Sequence, residues 1–171
     1  MPTKATLDLW NYKGRQLFLH GNYSGAVDLY KRCIDYDPCD SRAWHGMARI
    51  HYKRGEVALC EKTYKDGLYY CPKNPFLLQG WAVMLEKLGD TSKAMQLLMT
   101  SVKHNPKHAA SWVALAGLNR RKGDLSTAQY CYSEAIDGDP RSYVALQAWG
   151  ALEAEMGHGD AGMCLLACLL D

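Results

Sequence analysis

Proline is scarce in this chain, with six among 171 residues, and phenylalanine scarcer still, with two. Six prolines are too few to build a proline-rich linker. An excess of one charge is also missing: 20 basic side chains stand against 18 acidic ones, and with 48% hydrophobic residues this excludes both a disordered polyelectrolyte and a membrane-protein composition. Near the C-terminus, the uncharged stretch from Ala161 to Leu170 is about half the length a membrane span needs, so no membrane insertion is expected. The opening Met1-Pro2-Thr3-Lys4 leads into no secretory apolar core. Phosphate-binding loops and nucleophile motifs are absent as well. The acidic pair Glu153 and Glu155 lies two residues apart, so on a helix the two point in different directions. The expectation is a protein with no catalytic residues and no cofactor.

Seven cysteines are an odd count for a secreted disulfide framework. Cys33, Cys60 and Cys131 read as reduced, buried small residues, and Cys39 and Cys71 stand beside prolines. Cys164 and Cys168 are one helical turn apart but have no histidine at matching spacing. His104 and His108 are separated by Pro106, which breaks the helix that would align them, and both read as exposed turn residues. His20, His51 and His158 fall near helix ends with no carboxylate partner evident. No metal site is expected, and a reducing compartment fits best: cytosol, nucleus or the interior of an organelle such as the chloroplast.

What the chain does have is a period. Gly21, Gly55, Gly89, Gly123 and Gly157 follow one another at 34 residues, and so do Pro38, Pro72, Pro106 and Pro140. Between these markers lie two amphipathic stretches per repeat, each with apolar residues at three-and-four spacing, which predicts two half-buried helices. Glycine suits the left-handed backbone of the tight turn between them, and Asn22, Asp90 or Asp124 is placed to cap the second helix. Proline ends that helix. Large residues at Trp10, Trp44 and Trp112, with Leu78 and Leu146 in the equivalent places, precede small ones at Gly14, Ala48, Ala82, Ala116 and Gly150 by four residues. Small residues let paired helices approach, and aromatics such as Tyr30, Tyr64 and Tyr132 fill the space beside them.

These positions resemble the tetratricopeptide repeat, over residues 7 to 171. The resemblance implies an all-α, right-handed superhelical solenoid of five helical hairpins, a single array across 1–171 with repeats at about 7–40, 41–74, 75–108, 109–142 and 143–171. It also implies a non-catalytic scaffold for protein–protein interactions within a larger assembly. In the last repeat the run Leu146-Gln147-Ala148-Trp149-Gly150-Ala151-Leu152-Glu153 resembles the half-a-TPR variant of RNA-processing and organellar mRNA-maturation proteins. That implies an alternative function in RNA maturation or stabilisation, with single-stranded RNA as partner.

In such arrays the first helices line the concave, binding side. The candidate groove residues are Asn11 and Arg15 in the first repeat and Arg42, His45, Arg49, Tyr52 and Lys53 in the second. Later repeats add Gln79 and Lys87, then Arg120 and Arg121. Residues 41–108 carry a net charge of +6, whereas the last 29 residues hold four acids and no Lys or Arg. A basic centre suits phosphates or an acidic peptide carboxylate. The carboxylate clamp of chaperone-binding repeats calls for Lys and Asn where this chain has Asn11 and Arg15, so chaperone tails are not the expected partner. The segment from Gly159 to Asp171 is apolar all round past Asp160, with Met163, Leu165, Leu166, Leu169 and Leu170 as candidate partner-binding residues. Either the chain is a piece of a longer array, the favoured reading, or this end docks on a partner; self-association is the third outcome.

Overall fold

The computed structural model describes residues 3–159, and every regular element among them is an α-helix. In chain order these are α1 (Lys4–Leu19), α2 (Tyr23–Tyr36), α3 (Ser41–Lys53), α4 (Val57–Tyr70), α5 (Pro75–Lys87), α6 (Thr91–His104), α7 (Ala109–Lys122), α8 (Leu125–Gly138) and α9 (Tyr143–Glu155). Four helical pairs are followed by the first helix of a fifth. The second helix expected in that fifth repeat, with Met163, Leu165, Leu166, Leu169 and Leu170, lies outside the described residues.

The periodic glycines do what their spacing predicts. Gly21, Gly55, Gly89, Gly123 and Gly157 all have φ between 76° and 87°, a left-handed conformation that reverses the chain between paired helices. One residue later the cap appears: Asn22 Oδ1 accepts from the Gly25 amide at 3.0 Å, and Asp90 and Asp124 accept from Lys93 and Thr127, each at 3.1 Å. The second repeat departs from this, because Glu56 at the cap position makes no side-chain cap bond. Its Oε2 instead meets His51 Nδ1 at 2.6 Å. In the fifth repeat the partners are exchanged, with Glu153 Oε2 at 3.0 Å from His158 Nδ1. Both histidines therefore have carboxylate partners, contrary to the sequence expectation. Each pair spans the glycine turn, where helical spacing rules do not apply. His108 also differs from expectation: it is half-buried and its Nδ1 lies 2.8 Å from Ser111 Oγ.

Tryptophan and proline of the period meet directly. Trp44 Nε1 donates to the Pro38 carbonyl at 2.9 Å and Trp112 Nε1 to the Pro106 carbonyl at 2.7 Å. A bulky ring thus fills the first helix while its polar edge satisfies a carbonyl in the inter-repeat turn.

The chain divides into two compact units, Met1–Trp81 and Ala82–Asp171. In the first, α1 packs on α2, α3 on α4, α2 on α3, and α1 lies against α3. Leu7, Phe18, Ala26, Tyr30, Cys33, Ala43 and Ile50 form one buried cluster there. In the second, α7 packs on α6, α8 and α9, and α8 on α9. Ala94, Ala116, Ala128 and Ala135 are fully buried, with Leu98, Leu118 and Tyr132 at 2% exposure or less. Small residues where helices touch and large ones alongside are the packing that the four-residue spacing predicts. Cys33, Cys60 and Cys131 are buried, and burial raises each thiol to about 11, which keeps them protonated and unreactive. Among the described residues no helix is long and apolar enough to cross a membrane.

Candidate functional site

The first unit holds a cavity of about 450 Å³ on the side of α1 and α3. Its floor is Tyr30, reaching through from α2. The phenol ring sits against two glycines: a Cβ on Gly14 would stand 2.8 Å from it, and one on Gly46 closer still. Glycine at both places lets α1 and α3 pass over an aromatic ring that any side chain would displace. Burial raises the Tyr30 phenol, opposed by the nearby guanidinium groups of Arg49 and Arg15.

One end of the cavity is a closed network. Asp40, the N-cap of α3, is buried at 6% exposure. It accepts from the Arg42 guanidinium at 2.9 and 3.0 Å and from Asn11 Nδ2 at 2.7 Å. Burial pushes the Asp40 carboxyl up, but the bonds from Arg42 and Asn11 outweigh it and hold the group below the usual carboxylate range. Asp8 completes the network with a 2.6 Å bond to Arg42 Nη1. Asn11 also donates to the Leu7 carbonyl at 3.0 Å, while its Oδ1 is buried without a hydrogen-bond partner.

The other end is open. Arg15 is exposed on α1, and Arg49, the same position one repeat later, lies with its guanidinium 4.5 Å above the Phe18 ring. Neither has a carboxylate partner among the described residues. His45 is no free stacking surface: its Nδ1 is 2.9 Å from the Tyr64 hydroxyl and its ring meets the edge of Phe76 at 4.9 Å. Burial, aided by Arg49, depresses His45 to about 4, so the ring is neutral near pH 7.

Of the candidate groove residues, the structure brings Asn11, Arg15, Arg42, His45 and Arg49 together around this one cavity. Tyr52 and Lys53, at the end of α3, do not line it, nor does the half-buried Gln79. Asp8, Tyr12, Tyr30, Gly46 and Phe76 line it without having been singled out as groove residues. A signal was there: Asp8 and Phe76 sit one period before and after Arg42, and Tyr12 one period before Gly46.

In the second unit, Lys87 is exposed at the end of α5. Arg120 and Arg121 border a separate cavity of about 510 Å³ with Gly117, Leu125, Tyr132 and Glu155. Both cations are paired, Arg120 with Glu155 and Arg121 with Glu86. Lys93 is likewise held by Asp90 at 2.8 Å. No group of three or more His, Cys, Asp or Glu suited to a metal ion occurs among the described residues, while Cys164 and Cys168 lie outside them.

Comparison with known proteins adds the relatives. A tetratricopeptide repeat family model matches residues 17–79. The protein high chlorophyll fluorescent 107 of Arabidopsis thaliana is 29% identical over 111 residues, covering 64% of this chain and 17% of its own length. Pre-mRNA-splicing factor CLF1 of Pyricularia oryzae is 27% identical over 157 residues, covering 88% of this chain and 22% of its own. The chain thus spans about a fifth of these curated relatives. Among solved structures, a thermophilic tetratricopeptide-repeat protein of Thermus thermophilus superposes with a TM-score of 0.72 at 20% identity, covering 96% of this chain and 90% of its own.

Proposed function

Because the chain is a tetratricopeptide-repeat protein, we propose that it serves as a non-catalytic scaffold that holds a partner protein within a larger assembly, through the cavity on the first helices of its first unit. The observation that carries this reading is that two guanidinium groups on the first helices, those of Arg15 and Arg49, line one cavity with no carboxylate partner among the described residues. The fold alone would support only the general role. Cys33, Cys39, Cys60, Cys71 and Cys131 form no disulfide among the described residues, which fits a reducing compartment.

The splicing factor among the relatives favours a second reading, an assembly that matures RNA, in which this chain contacts RNA itself. The half-a-TPR-like stretch ending at Glu153 belongs with that reading. Pairing of Arg42, Arg120 and Arg121 with carboxylates opposes it, since counterion release needs open cations. Partner binding or self-association through Met163, Leu165, Leu166, Leu169 and Leu170 remains a further part of the proposal. Co-purification from the native source, with and without ribonuclease, tests the choice. Protein partners that stay bound after ribonuclease treatment support the scaffold, whereas recovery of RNA cross-linked to this chain and no nuclease-resistant protein partner overturns it.

A further inference from the structure

Two cysteines meet at the open end of the α3–α4 hairpin. Gly55 turns the chain at one end of that hairpin, while at the other Cys39 lies just before α3 and Cys71 just after α4. Trp44 holds this end together, stacking on Tyr70 with 5.9 Å between ring centroids while its Nε1 donates to the Pro38 carbonyl. The two thiols reach across reciprocally. Cys39 Sγ donates to the Tyr70 carbonyl at 3.3 Å and Cys71 Sγ to the Pro38 carbonyl at 3.6 Å, so each sulfur stands at the residue that precedes the other cysteine. They are also within hydrogen-bonding reach of each other.

The repeat does not require this pair. One period later the same two places hold Lys73 and Asn105, and one period further Lys107 and Asp139. Access to the two thiols differs. Cys39 is exposed, whereas Cys71 is 9% exposed, and burial together with the neighbouring Cys39 thiol pushes it up to about 12. An exposed thiol with a second, shielded thiol beside it makes Cys39 the point of entry for an oxidant and Cys71 the resolving group.

We propose that Cys39 and Cys71 form a reversible disulfide that closes the α3–α4 hairpin into a covalent ring when a small disulfide oxidant, such as glutathione disulfide, accumulates. The Cys39 thiolate attacks one sulfur of the oxidant, breaking its S–S bond and releasing one thiol. Cys71 then gives up its proton, attacks the Cys39 sulfur and expels the second thiol. The two protein thiols lose two electrons, the oxidant gains them, and the two thiol protons end on the two glutathione molecules. In a reducing compartment the pair rests as the dithiol.

The test equilibrates the full chain with glutathione disulfide, blocks remaining thiols with iodoacetamide under denaturing conditions, and maps disulfide-linked peptides by mass spectrometry. The expected product links Cys39 to Cys71. Its melting temperature is expected to rise by about 5–10 °C over the reduced chain, since the bond closes a long loop, and dithiothreitol reverses the rise. Cys39→Ser, at an exposed position, forms no link and shows no rise under the same treatment. Cys71→Ser stops at a glutathione adduct on Cys39, and should that variant fail to fold, Cys39→Ser still carries the control. Wild-type protein that keeps glutathione on Cys39 while iodoacetamide blocks Cys71 overturns the proposal. So does a link from Cys39 to another cysteine, or a Cys39–Cys71 link with no rise in melting temperature.

Discussion

Arg15 and Arg49 in the first unit and Arg120 and Arg121 in the second all project from first helices of repeats, yet the first two are open and the last two are closed by Glu86 and Glu155. The difference is positional. Both closing pairs join one repeat position to the next position of the following repeat, Glu86 to Arg121 and Arg120 to Glu155, so that signs alternate from helix to helix. In the first unit those positions hold Phe18, Leu19, Tyr52 and Lys53, with no acid to close a pair. An arginine count therefore says little about a binding surface. What decides is whether the neighbouring repeat delivers a carboxylate to the same place.

The strongest way to break the contrast between the units is through glycine. Gly46→Ala drives a methyl group into the buried Tyr30 ring and is expected to cost about 2 kcal/mol or more, whereas Gly117→Ala, with nothing nearer than Arg121 Nη1 at 3.9 Å, is expected to gain about 0.5–1 kcal/mol. Urea unfolding of the two variants measures both; equal effects would mean that Tyr30 is not wedged.

Next in size is Asp40→Ala, which leaves Arg42 and Asn11 without their buried partner and is expected to cost about 1.5–3 kcal/mol. The carboxyl is depressed in the folded state, so its contribution is present above about pH 4 and is lost as pH falls through its folded value. Acid titration of wild type and Asp40→Ala should converge below that value.

His45 gives a smaller, separable slope. Its folded value of about 4 lies below the ordinary one near 6.5, so the unfolded chain binds the proton first and stability falls as pH drops between the two. From pH 6 to pH 5 the wild type is expected to lose about 1 kcal/mol more than His45→Gln. Burial lowers His108 in the second unit as well, so a residual slope should survive in that variant.

The smallest effect belongs to the closed arginines. Arg121→Ala and Glu86→Ala remove a partly exposed pair, and each is expected to change stability by less than about 1 kcal/mol, with no change in binding of a co-purified partner protein. A tenfold loss of binding in Arg121→Ala would erase the distinction drawn between the two pairs of arginines.

How much of this was legible beforehand depends on the range of each interaction. Gly21 and its equivalents, and the caps at Asn22, Asp90 and Asp124, follow from local backbone chemistry and could be placed from the period alone. The position of the first-helix face was also legible, since Asn11, Arg15, Arg42, His45 and Arg49 do share a cavity. The electrostatic state of that face was not. Asn11 reaches Asp40 across 29 residues and Arg42 reaches Asp8 across 34, contacts fixed by helix packing and rotamers rather than by neighbours in the chain. Tyr30 was legible as a core aromatic but not as the floor of a cavity, because that role depends on Gly46, which breaks no helical pattern.

The tryptophan bonds to the inter-repeat turns give the molecule built-in optical reporters. Trp44 and Trp112 occupy equivalent positions, one in each unit, each buried with its indole N–H held by a proline carbonyl. Unfolding of either unit breaks its bond, places the indole in water and shifts its emission to longer wavelength. Two variants, one keeping only Trp44 and the other only Trp112 of the five tryptophans, with the other four replaced by Phe, would therefore show, by colour alone, which half of the chain opens first under heat, denaturant or acid.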